Sequence, residues 1–222
     1  MGRILLIYHQ TQIDVLIWMV QLGRIDIITE VSLLASQFAL PCEGHHEAVF
    51  HILGYLKGHH YTQMVFDPIY TTPNMSLFHQ HYWCDFYGDV KEAIPPNAPV
   101  PRGKEVDLRI FVDSDHAEDK LTRRYISGYI IFLNNDTIAW LSKKQETINT
   151  SVFGADFFVI KIGMETLRGL QYKLRMMGVK ISGLLLIYGE YMSVIHNTQQ
   201  PYYILEKNPN QCFTMQLGNM WK

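Results

Sequence analysis

The sequence predicts an α/β protein, α+β over its whole length: a sheet domain with one long helix, preceded by a smaller and mostly helical segment. Three observations carry this. Apolar residues in positions 10–60 recur at helical spacing. Pro95–Gly103, "PPNAPVPRG", has four prolines in nine residues and reads as a stiff connector. Beyond it the pattern turns to strands, then to a long helical period, then to a short, wholly apolar run. The division expected is residues 1–94, a connector at 95–103, an α/β domain over 104–211 and an aberrant tail at 212–222.

Taken in order, "TQIDVLIWMVQLG" sets Ile13, Leu16, Ile17 and Val20 on one helical face, with Gly23 as a stop. "TEVSLLASQFALP" offers Thr29 as an N-cap and should end before Pro41. "EGHHEAVFHILGYLKGHH" aligns Val49, Ile52, Leu53 and Leu56, and "YTQMVFD" reads as a short strand. After the connector, "VDLRIFVD" alternates, and "SGYIIFLNN" and "DTIAWLSKK" form a hairpin across "NND". Phe153, Phe157, Ile160, Met164, Leu167 and Leu174 then mark an amphipathic helix. Gly163 and Gly169 inside it each cost about 1 kcal/mol against Ala, which calls for close packing or a break. "GLLLIYGE" is the pattern of a strand buried on both faces, with a short polar helix expected from Met192.

Composition narrows the class. A hydrophobic content of 48% excludes wholesale disorder. Cys42, Cys84 and Cys212 stand far apart without CxxC spacing, which argues against a disulfide framework and a zinc site and suits a reducing, cytoplasmic setting. No run approaches the roughly 20 apolar residues of a membrane span, so no membrane partner is expected. The histidine pairs His45/His46, His59/His60 and His79/His81 lack acids in a ligand register and read as surface or helix-end residues. The net charge of −2 does not advertise a nucleic-acid binder, yet residues 102–180 hold 13 Lys/Arg against 10 Asp/Glu.

That basic segment contains "LRIFVDSDHAEDK", with Asp113, Asp115, Glu118 and Asp119 within seven residues. Close carboxylates repel, so the knot is either a solvated loop or a place for a cation. Asp113 ends a strand, Asp156 is placed in the first turn of the long helix and off its apolar stripe, and Glu190 ends the buried strand. Functional groups in open α/β sheets gather at such places. Converging acids without His or Cys favour Mg²⁺ or Mn²⁺ over zinc. The plainer alternative is a set of ordinary surface acids, with Asp156 complementing the helix dipole.

The motifs "VDSDHAEDK", "SGYIIFL", "SKKQETI", "TSVFGADF", "GMETLRGLQYKLRMMG" and "YGEYMSVIHNT" resemble, in order, the ribonuclease H domain of copia-type retrotransposon polyproteins. "QIDVLIWMVQLGRIDIITEVSLLASQFALP" and "GHHEAVFHILGYLKGHH" resemble the end of the reverse transcriptase region just upstream. The resemblance implies a ribonuclease H-like mixed sheet after a helical reverse transcriptase remnant, and cleavage of the RNA strand of an RNA–DNA hybrid with two Mg²⁺ ions. Position by position it places the metal-binding and catalytic acids at Asp113, Asp156 and Glu190, with Asp115 beside the first. Glu118 and Asp119 are left to a solvated loop. Arg123, Arg124, Lys143 and Lys144 would meet hybrid phosphates, or else form a charged hairpin rim. Trp140 and Tyr129 are expected to pack rather than stack on bases.

Two departures point to a truncated, degenerate copy with weak or absent activity. Asp156 stands where the family has Glu, and Glu190 where it has Asp. Each swap moves a carboxylate by about 1.5 Å of chain, and a misplacement of about 1 Å can cost roughly 10²-fold in rate. No YxDD-type acid pair occurs in residues 1–100, so no polymerase is expected. The tail Cys212–Lys222 leaves the family pattern abruptly, as a change of reading frame after Gln211 would produce. It is expected to have no place in the sheet and to leave Leu184–Tyr188 without a neighbour. Oligomeric state stays open.

Overall fold

A computed structural model describes residues 3–67, 94, 96–115, 124–146, 151–190, 194 and 213–217. Along the first strand burial alternates residue by residue from Ile110 to Asp115, while the next two strands are mostly half-buried on both faces. β1 (Arg102–Asp115), β2 (Ile126–Leu133), β3 (Asp136–Lys144), β4 (Val179–Gly189) and β5 (Phe213–Leu217) form one sheet in the order β3-β2-β1-β4-β5. Only the β1–β4 pair is parallel, so the sheet is mixed. The β2–β3 turn is tight, and Asn134 takes its left-handed corner at φ 55°. Its backbone N–H donates to Asp107 O and its Oδ1 accepts from Asp107 N, which ties the turn to β1.

α4 (Val152–Met176) leads from β3 to β4 across one face of the sheet. Ser151 caps it, accepting from Gly154 N at 3.1 Å. Register puts Leu108 level with Leu133 and Leu185, and Ile110 level with Ile131 and Ile187. These meet Val159, Ile160, Met164 and Leu167 of α4 in one apolar core. Gly163 is the point of closest approach, where an added Cβ would come within 2.9 Å of Val112 and 3.1 Å of Ile110. The helix is unbroken at both glycines, and Gly169 faces open space.

The N-terminal part is helical, as the periodicity predicts. α1 (Arg3–Gln21), a 3-10 turn at Ile25–Ile27, α2 (Ile28–Ala35) and α3 (Glu43–Gly58) enclose a second core around Ile13, Leu16, Val31, Val49 and Ile52. Gly23, at φ 113°, follows the end of α1. Trp140 of β3 packs into this core and donates from Nε1 to Val20 O at 3.1 Å, while Ser32 Oγ donates to Ser142 O at 2.8 Å. The two parts therefore meet through α2 and β3, more closely than a stiff connector suggests.

Four local expectations are corrected. Thr29 does not cap α2: the preceding Ile27 is the cap position, without a side-chain bond, because the 3-10 turn runs straight into the helix. Tyr61–Asp67 forms no strand; it has no ladder partner, and Asp67 N donates instead to Asp136 Oδ1 at 2.6 Å. β1 starts at Arg102, inside the nominal connector, where Arg102 N donates to Gly178 O. Phe213–Leu217 of the tail lies antiparallel along β4, with Met215 opposite Ile187, so β4 does have a neighbour on that side. The helix expected from Met192 lies outside the described residues except for Val194, which is helical. Among the described residues no helix is long and apolar enough to cross a membrane.

Candidate functional site

The alternation that buries Leu108, Ile110 and Val112 under α4 continues to the end of β1, where it sends Ser114 inward. Phe111, Asp113 and Asp115 are exposed on the other face. There the ring of Phe111 stacks on that of Tyr188, with centroids 4.5 Å apart and planes 11° apart. Beside this pair, between the sheet and the 3-10 turn and α2, lies a cavity of about 430 Å³. Asp113, Asp115 and Glu190 line it together with Ile28, Trp140 and Tyr188. Glu190 follows β4 directly and is exposed. Parallel β1 and β4 thus bring the first and third of the sequence-predicted acids to one wall.

Asp156 does not line that cavity. It is the fifth residue of α4, whose first turn has no acid, and it is 1% exposed on the helix face that packs on the sheet. The apolar stripe is centred on Ala155, Val159, Ile160 and Gly163, so Asp156 lies within it and Phe157 is the exposed residue. Both the first-turn placement and the off-stripe orientation are corrected. Ser114 Oγ donates to Asp156 Oδ1, while Oδ2 is buried without a partner. Burial, with the negative charge of Asp113 adding to it and the Ser114 bond opposing, raises the Asp156 pKa to about 7. A carboxyl that ionises near neutrality is a feature of many catalytic sites and of some purely structural ones.

Around Asp156 the core turns polar. Gln145 Nε2 donates to Ser127 Oγ at 2.8 Å and to Ala155 O at 3.3 Å, and Gln145 N donates to Tyr125 O at 2.8 Å. The Tyr125 hydroxyl is raised in pKa by burial and then by the charge of Asp156. Sequence reasoning missed Ser114, Ser127 and Gln145. The signal was present for Ser114, since a strand that buries Ile110 and Val112 must also point Ser114 at the helix.

Oxygen donors with an orphaned buried oxygen suit a hard divalent cation, whose charge would offset both burial and the Asp113 repulsion. The acids are not gathered around one point, however. Among the described residues no group of three or more His, Cys, Asp or Glu stands ready to hold a metal ion.

A second groove of about 570 Å³ adjoins the first, sharing Ile28, Trp140, Leu141 and Ser142 with it, and is lined by Arg124, Lys143 and Lys144. Glu146 enters the same groove and binds Lys143 at 2.9 Å. That bond and the Lys143 charge, helped by Arg124, hold the Glu146 carboxyl below its usual range. Part of the positive charge is thereby compensated. Arg123, Glu118 and Asp119 lie outside the described residues. Trp140 and Tyr129 are both packed against cores, as expected.

A mixed sheet with acids at parallel strand ends and a basic groove beside them is a chain of α/β class with a candidate nucleic-acid face. Comparison with known proteins narrows that class: the chain is similar to retrotransposon Pol polyproteins. Over 134 residues, 60% of its length, it is 28% identical to the retrovirus-related Pol polyprotein from transposon RE1 of Arabidopsis thaliana. Over 182 residues, 81% of its length, it is 23% identical to the corresponding polyprotein from transposon RE2 of the same plant. These spans amount to 7% and 10% of the two polyproteins, so the chain matches a small part of each. The resemblance read from the sequence motifs is borne out. No family model matches the chain, and no solved structure matches it.

Proposed function

We propose that this chain is a cytoplasmic, degenerate remnant of a copia-type retrotransposon polyprotein. In this reading a reverse transcriptase end precedes a ribonuclease H-like domain that still binds RNA–DNA hybrid but cleaves it weakly or not at all. The observation that carries the reading is the division of the acids: Asp113 and Glu190 share a cavity, while Asp156 is buried under α4 with a pKa near 7. Asp113, Asp115 and Glu190 line the cavity where Mg²⁺ or Mn²⁺ would have to bind. With Asp156 buried apart from them they are not gathered into a ligand set, which supports weak or absent cleavage. The chemistry such an ion supplies when bound is to activate water and stabilise the leaving oxygen of a phosphodiester. The chain's own part is positional. Ser114 pins the Asp156 carboxyl, and Arg124, Lys143 and Lys144 offer sequence-independent contacts to phosphate in the adjoining groove.

The test is Mg²⁺-dependent cleavage of an end-labelled RNA–DNA hybrid by the full chain, beside a mobility-shift titration with the same hybrid. Salt-sensitive binding with little or no cleavage is expected. Asp156→Glu combined with Glu190→Asp should raise cleavage. Robust turnover by the unaltered chain would overturn the claim of weak activity, and absence of binding would overturn the hybrid as partner. Binding that survives when cleavage cannot be restored would favour a second reading, a nucleic-acid-binding module without catalysis, which the basic groove supports.

A further inference from the structure

The first helical layer contains a polar cluster that neither the carboxylate cavity nor the basic groove uses. His9 of α1 is 0% exposed, and neither of its ring nitrogens has a hydrogen-bond partner. One turn along the same helix, Gln12 Oε1 is buried and unpartnered. From α3, His46 presents a ring whose Nδ1 is also buried and unpartnered, with its centroid 5.7 Å from that of His9. Three imidazole nitrogens from two helices are thus out of water in one pair of neighbouring rings, with no protein group bonded to them. A buried polar group left unpaired is destabilising, so the pair calls for something that bonds to it.

We propose that His9 and His46 form a site for a borderline divalent transition-metal ion of the zinc class at the α1–α3 interface. Neutral imidazole is the form that binds such ions. The ring spacing is close to what a shared ion needs. With metal–nitrogen bonds of about 2.0–2.1 Å, two imidazoles on one tetrahedral centre have ring centroids roughly 5 Å apart. The observed 5.7 Å requires only a small inward movement. His46 is backed by Phe50 at 4.9 Å and Tyr8 at 6.1 Å, both edge-on, which limits where its ring can turn. His45 is engaged otherwise, its Nδ1 accepting from Cys42 N at 3.1 Å to cap α3. The site therefore has two imidazoles, and solvent reaching it past the partly exposed His46 completes the shell. Mg²⁺, which prefers oxygen and holds its water, should not compete.

The full chain is titrated with ZnCl₂ while its thermal unfolding is followed, and separately with CoCl₂ while the visible spectrum is recorded. Zinc at a large excess over its dissociation constant should raise the Tm by several degrees, and cobalt should give the absorption of a low-coordinate site. His46→Asn, at a partly exposed position, is the informative variant. It should weaken zinc binding by about 10-fold or more and remove the cobalt bands, with helical circular dichroism retained. His59→Gln, at the far end of α3, should change neither. Absence of a zinc-induced shift in the unaltered chain would overturn the site, as would binding that His46→Asn leaves intact.

Discussion

The two faces of the sheet at β1 are made of consecutive residues and behave differently. Under α4, Leu108, Ile110 and Val112 fit a helix close enough that Gly163 is needed, and the one acid admitted, Asp156, is desolvated. On the opposite face Phe111 is 46% exposed and stacks on Tyr188 beside a cavity, and Asp113 and Asp115 remain in contact with solvent. The lesson is that acids brought together by a fold, such as Asp113 and Asp156, need not share an environment. On β1 a two-residue period assigns each residue to a dielectric before any chemistry is considered.

The largest test of this contrast compares neighbours. Ile110→Ala, at a fully buried position, should cost about 2–5 kcal/mol in denaturant unfolding. Phe111→Ala, though it removes more atoms, should cost less than about 2 kcal/mol because half its surface is already wet. Equal losses would mean that the faces do not differ as described.

Next comes pH. The Asp156 carboxyl has its folded-state pKa raised from 3.8 to about 7, so between these values the folded chain binds a proton that the unfolded chain has released. Stability therefore falls as pH rises through this window, and the full penalty, on the order of 2–4 kcal/mol, is present only above pH 7. Asp156→Asn should stabilise the protein at pH 8 and leave it nearly unchanged at pH 4. A variant that gains nothing at pH 8 would show that the buried carboxyl is compensated.

The smallest effect sharpens the packing side. Gly163→Ala should destabilise by about 1–3 kcal/mol, since its Cβ meets Val112 and Ile110. Gly169→Ala, six residues on in open space, should stabilise by up to about 1 kcal/mol from helix propensity alone. Opposite signs in thermal melts are the expected result.

Much of the architecture was legible in the sequence because the periods are long. α1, α3, α4 and the β2–β3 hairpin follow from spacing alone, and the apolar run Leu185–Ile187 is buried as its composition implies. Errors arose where size matters more than hydrophobicity. Phe153 and Phe157 drew the predicted stripe of α4 toward themselves, whereas the helix approaches the sheet on its small residues, Ala155 and Gly163, and carries Asp156 in with them. The site was legible in part for the same reason. Asp113 and Glu190 are at strand ends, where alternation and parallel pairing determine their neighbours. The depth of Asp156 depends on helix rotation, and the orphaned His9–His46 pair depends on how α1 crosses α3. Neither is encoded in local spacing. The pairing of Phe213–Leu217 is a long-range choice that "CFTMQLGNMWK" gives no local reason to expect.

Trp140 belongs by chain to the sheet and by packing to the helices. The peptide connection is therefore not the only bond between the two halves. If a protease cuts the exposed stretch at residues 96–101, the indole remains in the helical core with its N–H on Val20, and the Ser32–Ser142 bond remains as well. The nicked protein should then elute from a sizing column as one particle and separate only in denaturant, whereas Trp140→Ala should let the fragments part under native conditions. Co-elution of the fragments in that variant would mean that other contacts hold them. A chain read as two modules on a tether is, on this account, a noncovalent heterodimer that happens to be joined.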